Sequence, residues 1–131
     1  MRLDGEVERV VWNAHNPAYV MASTEAGSLY IVDSRNGATV ASHKAHNDAV
    51  TGLTQSPMVC NCIATASADN TVKIWKLLPT NDSLEFVAEE HFNMGKILCA
   101  SFCPDTEWVI ALGGENKEDS VKLWDIRNTS G

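Results

Sequence analysis

This sequence of 131 residues predicts an all-β fold made of repeats of a four-stranded antiparallel unit, and three observations predict it. The first is the segment Ala64–Trp75, which reads as strand, tight turn and strand. Its turn falls on Asp69-Asn70, and Val72 and Ile74 alternate with Lys73 and Trp75 in the period of two that marks a half-buried strand. The second is recurrence. Ser28–Asp33 ends in the same pattern with Val32 placed 43 residues before Trp75, and Ser120–Asp125 repeats it with Trp124 placed 49 residues after. The third is phase: Val7, Val10 and Trp12 match Val50, Leu53 and Gln55, and then Ile97, Ala100 and Phe102.

Each opening strand is closed by turn chemistry, Asn16-Pro17 in the first repeat, Ser56-Pro57 in the second and Pro104-Asp105 in the third. A period of ~40–45 residues is that of propeller blades. The strands therefore order as a, b, c, d in the first two units and a, b, c in the third, with boundaries near 4–43, 44–90 and 91–131. A propeller closes with ~4–8 blades. The expectation is thus an arc of about three blades from a larger ring, with the last blade incomplete.

Within the middle unit, four side chains can form one relay. Trp75 carries a single indole donor, Thr65 a hydroxyl that both accepts and donates, His46 one nitrogen of each kind, and Asp69 a carboxylate. The proposed order is indole to Thr65, Thr65 to imidazole, and imidazole to Asp69, so that every buried polar group has a partner. This arrangement resembles the structural tetrad of the WD40 repeat, whose role is to tie one blade together. Position by position, the first repeat carries Leu3, Ala22, Ala26 and Val32 instead, so no brace is expected there. The third keeps Trp124 but has Asn93 for the His and Ala111 for the Thr.

Composition excludes several classes. A net charge of −7 opposes direct nucleic-acid binding, which needs clustered Lys and Arg on the phosphates, and favours basic partners. No apolar run approaches the ~20 residues of a membrane span, and the first residues lack the apolar segment of a signal peptide. Cys60 and Cys62 form C-x-C, and Cys99 and Cys103 form C-x-x-x-C. Neither is zinc-ribbon spacing, so they read as reduced, partly buried thiols and no metal is expected. His15, His43 and His91 fall in loop or edge contexts without ligand spacing. Nucleophile elbow, phosphate loop and zinc-protease helix are all missing. His46, Thr65, Asp69 and Asp48 imitate a hydroxyl–His–Asp triad, but Trp75 at its offset accounts for the set as a brace. Gly113-Gly114 reads as a turn into an irregular loop, Glu115 to Asp119. No cofactor and no enzymatic activity are expected.

A finer resemblance rests on Gly5–Val10, Ala45–Asp48, the Thr65–Trp75 module, and Asn93-Met94-Gly95 with Cys103-Pro104-Asp105. Together these resemble the later blades of the periodic tryptophan protein 1 family, from about Gly5 to Ile126. That resemblance implies a non-catalytic scaffold of the nucleus and nucleolus, in ribosome biogenesis, ribosomal RNA transcription or chromatin. Its implied partners are proteins, including pre-ribosomal factors and basic segments such as histone tails. The alternative is a cytoplasmic adaptor of the same repeat class, such as a ubiquitin-ligase substrate receptor or a trafficking subunit, because fold does not fix function. In either case the expected partner surface is the rim where each strand a begins, which takes in Asp4, Glu6, Asn47, Asp48, Ala68 and Lys96.

Overall fold

In a computed structural model describing residues 3–14, 16–59, 61–78, 83–105, 108–117 and 120–128, the chain forms eleven strands in three antiparallel sheets. The first sheet is β1 (Val7–Trp12), β2 (Tyr19–Thr24), β3 (Ser28–Asp33) and β4 (Ala38–Lys44). The second is β5 (Val50–Gln55), β6 (Cys62–Ser67), β7 (Thr71–Leu77) and β8 (Leu84–His91). The third has β9 (Ile97–Phe102), β10 (Val109–Gly114) and β11 (Val121–Asp125), followed by a short 3-10 turn, Ile126–Asn128. Neighbours in each sheet are neighbours in sequence. This is the predicted meander, four strands in two blades and three in the last. His15, Cys60 and Asp119 lie outside the described residues.

The opening strands agree in detail as well as in phase. Each pairs with the next strand through a register shift after its first residue, skipping Glu8 in β1, Thr51 in β5 and Leu98 in β9. Such a bulge turns the strand locally and increases its twist. Residues at these bulges also reach other blades: Thr51 Oγ1 donates to the Ile97 carbonyl, and the Arg9 guanidinium of the first blade reaches the carbonyl of the skipped Leu98 in the third at 3.4 Å.

Blades stack face to face, because the apolar faces of three twisted sheets leave water only by covering one another. Between the first and second blades, Met21, Leu29 and Ile31 meet Val50, Leu53, Ile63, Trp75 and Leu77. Between the second and third, Ala64, Val72 and Ile74 meet Met94, Ile97, Ile110, Leu112 and Trp124. The middle blade is thus covered on both sides, and β6 is buried along its whole length.

Two sequence readings are corrected here. Gly113 and Gly114 are not a turn: they are the last residues of β10, paired with Val121, Cys99 and Ile97. A Cβ on Gly113 would stand 2.7 Å from Cys99 Sγ and one on Gly114 2.6 Å from the Met94 carbonyl oxygen, so glycine permits a close approach within a strand. The position matching Thr65 in the third blade is Leu112 rather than Ala111, since Leu112 pairs with Lys122 and Ala100 as Thr65 pairs with Lys73 and Leu53. Leu112 is buried in the core while Ala111 is exposed.

Candidate functional site: a buried polar relay and the rim above it

The turn Ala68-Asp69-Asn70 joins β6 to β7 in three residues. Asn70 takes φ of 72°, the left-handed conformation that Asn tolerates, and its amide donates to the Ser67 carbonyl at 3.2 Å. Asp69 is held by the Ser67 hydroxyl on its amide at 3.1 Å, and its Oδ1 accepts the Thr71 amide at 3.0 Å. The first blade builds the same turn from Glu25-Ala26-Gly27, with Gly27 at φ 93°. Gly27 has a further reason to lack a side chain: its carbonyl accepts both the Ala45 and His46 amides, and a Cβ would stand 2.2 Å from the His46 carbonyl oxygen.

His46 therefore enters the second blade with its backbone fixed by the first. Its ring is buried. Nε2 lies 2.8 Å from Thr65 Oγ1, and Nδ1 lies 3.1 Å from Asp69 Oδ2 and 3.0 Å from Thr71 Oγ1. Trp75 Nε1 donates to Thr65 Oγ1 at 2.8 Å. Donor chemistry fixes the protons. The ionised Asp69 only accepts, so the neutral ring carries its proton on Nδ1, facing the carboxylate, and bare Nε2 accepts the Thr65 hydroxyl proton while the Thr65 oxygen accepts from the indole. Thr71 donates to Asp69 Oδ1 at 2.5 Å. Burial lowers the His46 pKa, against the opposing pull of Asp69, and keeps the ring neutral. For Asp69, burial raises the pKa, but the bonds from Thr71 and His46 outweigh it and the net shift is downward.

Two participants were not foreseen in the sequence. Thr71 closes the relay on the Asp69 side, and the Asp-x-Thr spacing across a left-handed turn residue was its signal. His43, on the edge strand β4, meets Trp75 edge-on with ring centroids 4.8 Å apart, while Phe86 packs on Trp75 at 5.6 Å. Only the fold brings His43 there. Because Thr65 is completely enclosed and its hydroxyl oxygen is taken by the indole, it has no route to a substrate carbonyl.

The first blade, expected to have no brace, has a different one. Asp4 accepts the Thr24 hydroxyl on Oδ1 at 2.8 Å and the Ser28 hydroxyl on Oδ2. The Ser28 bond is the largest influence lowering the Asp4 pKa. One carboxylate and two buried hydroxyls here span the ends of β2 and β3. The third blade packs Phe92 against Trp124, with ring centroids at 5.7 Å, where the second has its polar relay.

Of the rim residues, Asp4, Glu6, Asn47, Asp48 and Lys96 are exposed and Ala68 is half-buried. Hydrogen bonds pin the backbone at Glu6, Ala68 and Lys96. The Glu25 amide donates to the Glu6 carbonyl at 2.8 Å, the Ala68 amide to the Ala49 carbonyl at 3.1 Å, and the Lys96 amide to Glu115 Oε1 at 3.2 Å. Asp48 Oδ1 accepts the Ala49 amide at 2.7 Å. Cys62 is a buried thiol whose pKa burial pushes up to about 11, whereas Cys99 is exposed. Among the described residues no three His, Cys, Asp or Glu side chains gather to hold a metal.

Comparison with known proteins agrees with this architecture. The family model "WD domain, G-beta repeat" matches residues 37–76 and 84–125. The chain is 33% identical over 129 residues to the periodic tryptophan protein 1 homolog of Drosophila melanogaster, covering 98% of this chain and 28% of that protein. It is 31% identical to periodic tryptophan protein 1 of Saccharomyces cerevisiae, over 92% of this chain and 22% of the relative. It is also 33% identical to the GATOR2 complex protein MIOS of Dictyostelium discoideum, over 90% of this chain and 10% of that protein. The chain therefore spans between a tenth and little more than a quarter of these relatives. Three antiparallel blades, repeat models over the second and third, and the likeness to periodic tryptophan protein 1 together make this chain a member of the WD40 repeat family.

Proposed function

We infer that the chain is part of a non-catalytic WD40 scaffold that binds proteins through the rim at the start of each strand a. The observation that carries this reading is rigid presentation. Exposed Glu6, Asp48 and Lys96 stand on backbone held by bonds from Glu25, Ser67 and Glu115, and exposed Asn47 follows the buried His46, whose amide is held by the Gly27 carbonyl. A surface fixed before it meets a partner loses little entropy on binding. Acidic Glu6 and Asp48, with Asp4 tied inward to Thr24 and Ser28, suit a basic peptide such as a histone tail or a pre-ribosomal factor, with attraction weakening as salt screens it.

The likeness to periodic tryptophan protein 1 supports placing this scaffold in the nucleus or nucleolus, in ribosome biogenesis, ribosomal RNA transcription or chromatin. The test is a fluorescence titration of basic peptides against the full-length protein and against variants with Glu6→Lys and Asp48→Lys. Weaker binding in the variants, with a salt dependence that flattens, is the expected result. Equal affinities remove these residues from the surface.

A further inference from the structure

The outer hairpin of the first blade turns from β3 to β4 through Ser34-Arg35-Asn36-Gly37, and the two halves of this turn are held differently. Its entry is fixed. The Ser34 amide donates to the Ala18 carbonyl at 2.8 Å, and Arg35 bonds Asp33 through its amide at 2.9 Å and its guanidinium at 2.8 Å. The tip is Asn36-Gly37. Both residues are exposed, Gly37 sits at φ 72°, and a Cβ there would meet nothing within 4 Å. Asn36 Oδ1 accepts the Ala38 amide at 2.8 Å, which folds the carboxamide back over the peptide unit it shares with Gly37. The Gly37 amide donates to the Asp33 carbonyl at 2.8 Å. No other asparagine of the chain precedes a glycine.

We propose that Asn36-Gly37 is a site of self-modification, at which the Gly37 nitrogen attacks the Asn36 carboxamide and converts the asparagine to aspartate and isoaspartate. The turn supplies what this chemistry needs. Its geometry holds the carboxamide beside the attacking nitrogen, so that closure needs no search. The Ala38 amide stands on the oxygen that becomes negative as the nitrogen adds, the place of an oxyanion donor. Gly37 brings no side chain to hinder the closure. The steps balance without oxidation or reduction. Gly37 gives up its amide proton, its nitrogen bonds to Asn36 Cγ, the Cγ–Nδ2 bond breaks, and ammonia leaves a cyclic imide behind. Water then opens the imide. Addition at Cγ restores the original peptide and leaves aspartate, whereas addition at the backbone carbonyl carbon leaves isoaspartate, with the main chain rerouted through Cγ. The bond from Gly37 to Asp33 opens first, a local event at a solvent-exposed tip. The consequence reaches the first blade junction. Isoaspartate lengthens the main chain ahead of β4, the strand that carries Val40 and Ala41 onto the core between the first two blades and His43 onto Trp75, and a shift in strand pairing moves every side chain that follows.

The test ages the full-length protein at mildly alkaline pH beside a free peptide of the Ser34–Val40 sequence, with both mapped by mass spectrometry. Asn36 should exchange NH for O ahead of every other asparagine in residues 1–131, faster as pH rises because the attacking nitrogen must lose its proton, and isoaspartate should separate from aspartate on chromatography. Gly37→Ala should abolish the change over the same interval. Because that variant also strains the turn, a second comparison uses the separated products. The isoaspartate form should melt a few degrees below the unaged protein and exchange its Val40–His43 amides faster. Asn36→Asp, which adds the charge without the extra main-chain carbon, should melt as the unaged protein does. Modification of another asparagine first, or an intact Asn36 once the free peptide has converted, overturns the proposal. Equal melting and exchange of the isoaspartate form overturns the consequence for β4.

Discussion

The imidazole of His46 holds together groups that belong to three segments: Thr65 on β6, Asp69 in the turn, and Thr71 at the head of β7. Removing the ring leaves those buried groups without it, so His46→Ala should cost about 1–3 kcal/mol, as should Trp75→Phe, which deprives Thr65 of its donor. If the relay is one unit, the double variant loses less than the sum of the two singles; urea denaturation of all three measures it. Acid acts on the same group. The folded pKa of His46 lies below its ordinary 6.5, so between the two values the unfolded chain binds more protons, and stability is lost as pH falls through that window. Asp69, lowered from 3.8, adds stability that is present above 3.8 and is lost only as pH drops through its own folded value. Melting temperature should decline on acidification from pH 7 toward 5, and His46→Gln should flatten that decline. Four members of this relay were legible because Trp, Thr, His and Asp fall at fixed offsets in sequence. The role of His43 was not, since an edge-strand histidine shows its neighbour only when the blades stack.

Turns decide how each blade closes, and glycine variants separate their parts. Gly27 and Gly37 both sit at positive φ, but a Cβ on Gly37 meets nothing within 4 Å while one on Gly27 meets the His46 carbonyl. Both changes to alanine strain the backbone; Gly27→Ala should cost more by about 2 kcal/mol or beyond, and paired thermal melts give the difference. The Asp4 clamp predicts a separate loss of about 1–2 kcal/mol for Asp4→Ala, read as a lower urea midpoint. This clamp escaped the sequence because repeats were matched position by position. Leu3 occupies the place of His46, and the carboxylate that fastens the first blade stands one residue later. The slip between Ala111 and Leu112 is of the same kind. The link from β10 to β11 is longer than the three-residue turn of the middle blade, and a one-residue error in a strand exchanges its two faces. Opening strands suffered no such error, because their alternation is read without crossing a loop of variable length.

At the scale of the whole chain, two blade faces have no blade against them among the described residues. Val121 and Leu123 match Val72 and Ile74, which bury themselves against the next blade, yet they are 70% and 72% exposed. At the other side, Val10 and Trp12 are 59% and 62% exposed. Apolar faces of this kind favour association, so residues 1–131 alone should elute from gel filtration above monomer size at micromolar concentration, and Leu123→Lys with Val121→Lys should shift it toward monomer. A monodisperse, cooperatively melting monomer of the unaltered chain would contradict this. The Gly27 carbonyl carries a consequence for the order of events. It belongs to the first blade, and it receives the amides of Ala45 and His46 that lead into the second. During synthesis from the amino end, that acceptor leaves the exit tunnel before the histidine it will hold. The nascent chain thus exposes an acceptor before the amides it will hold, and the Asn70 carbonyl repeats the arrangement for the Phe92 amide at the entry to the third blade.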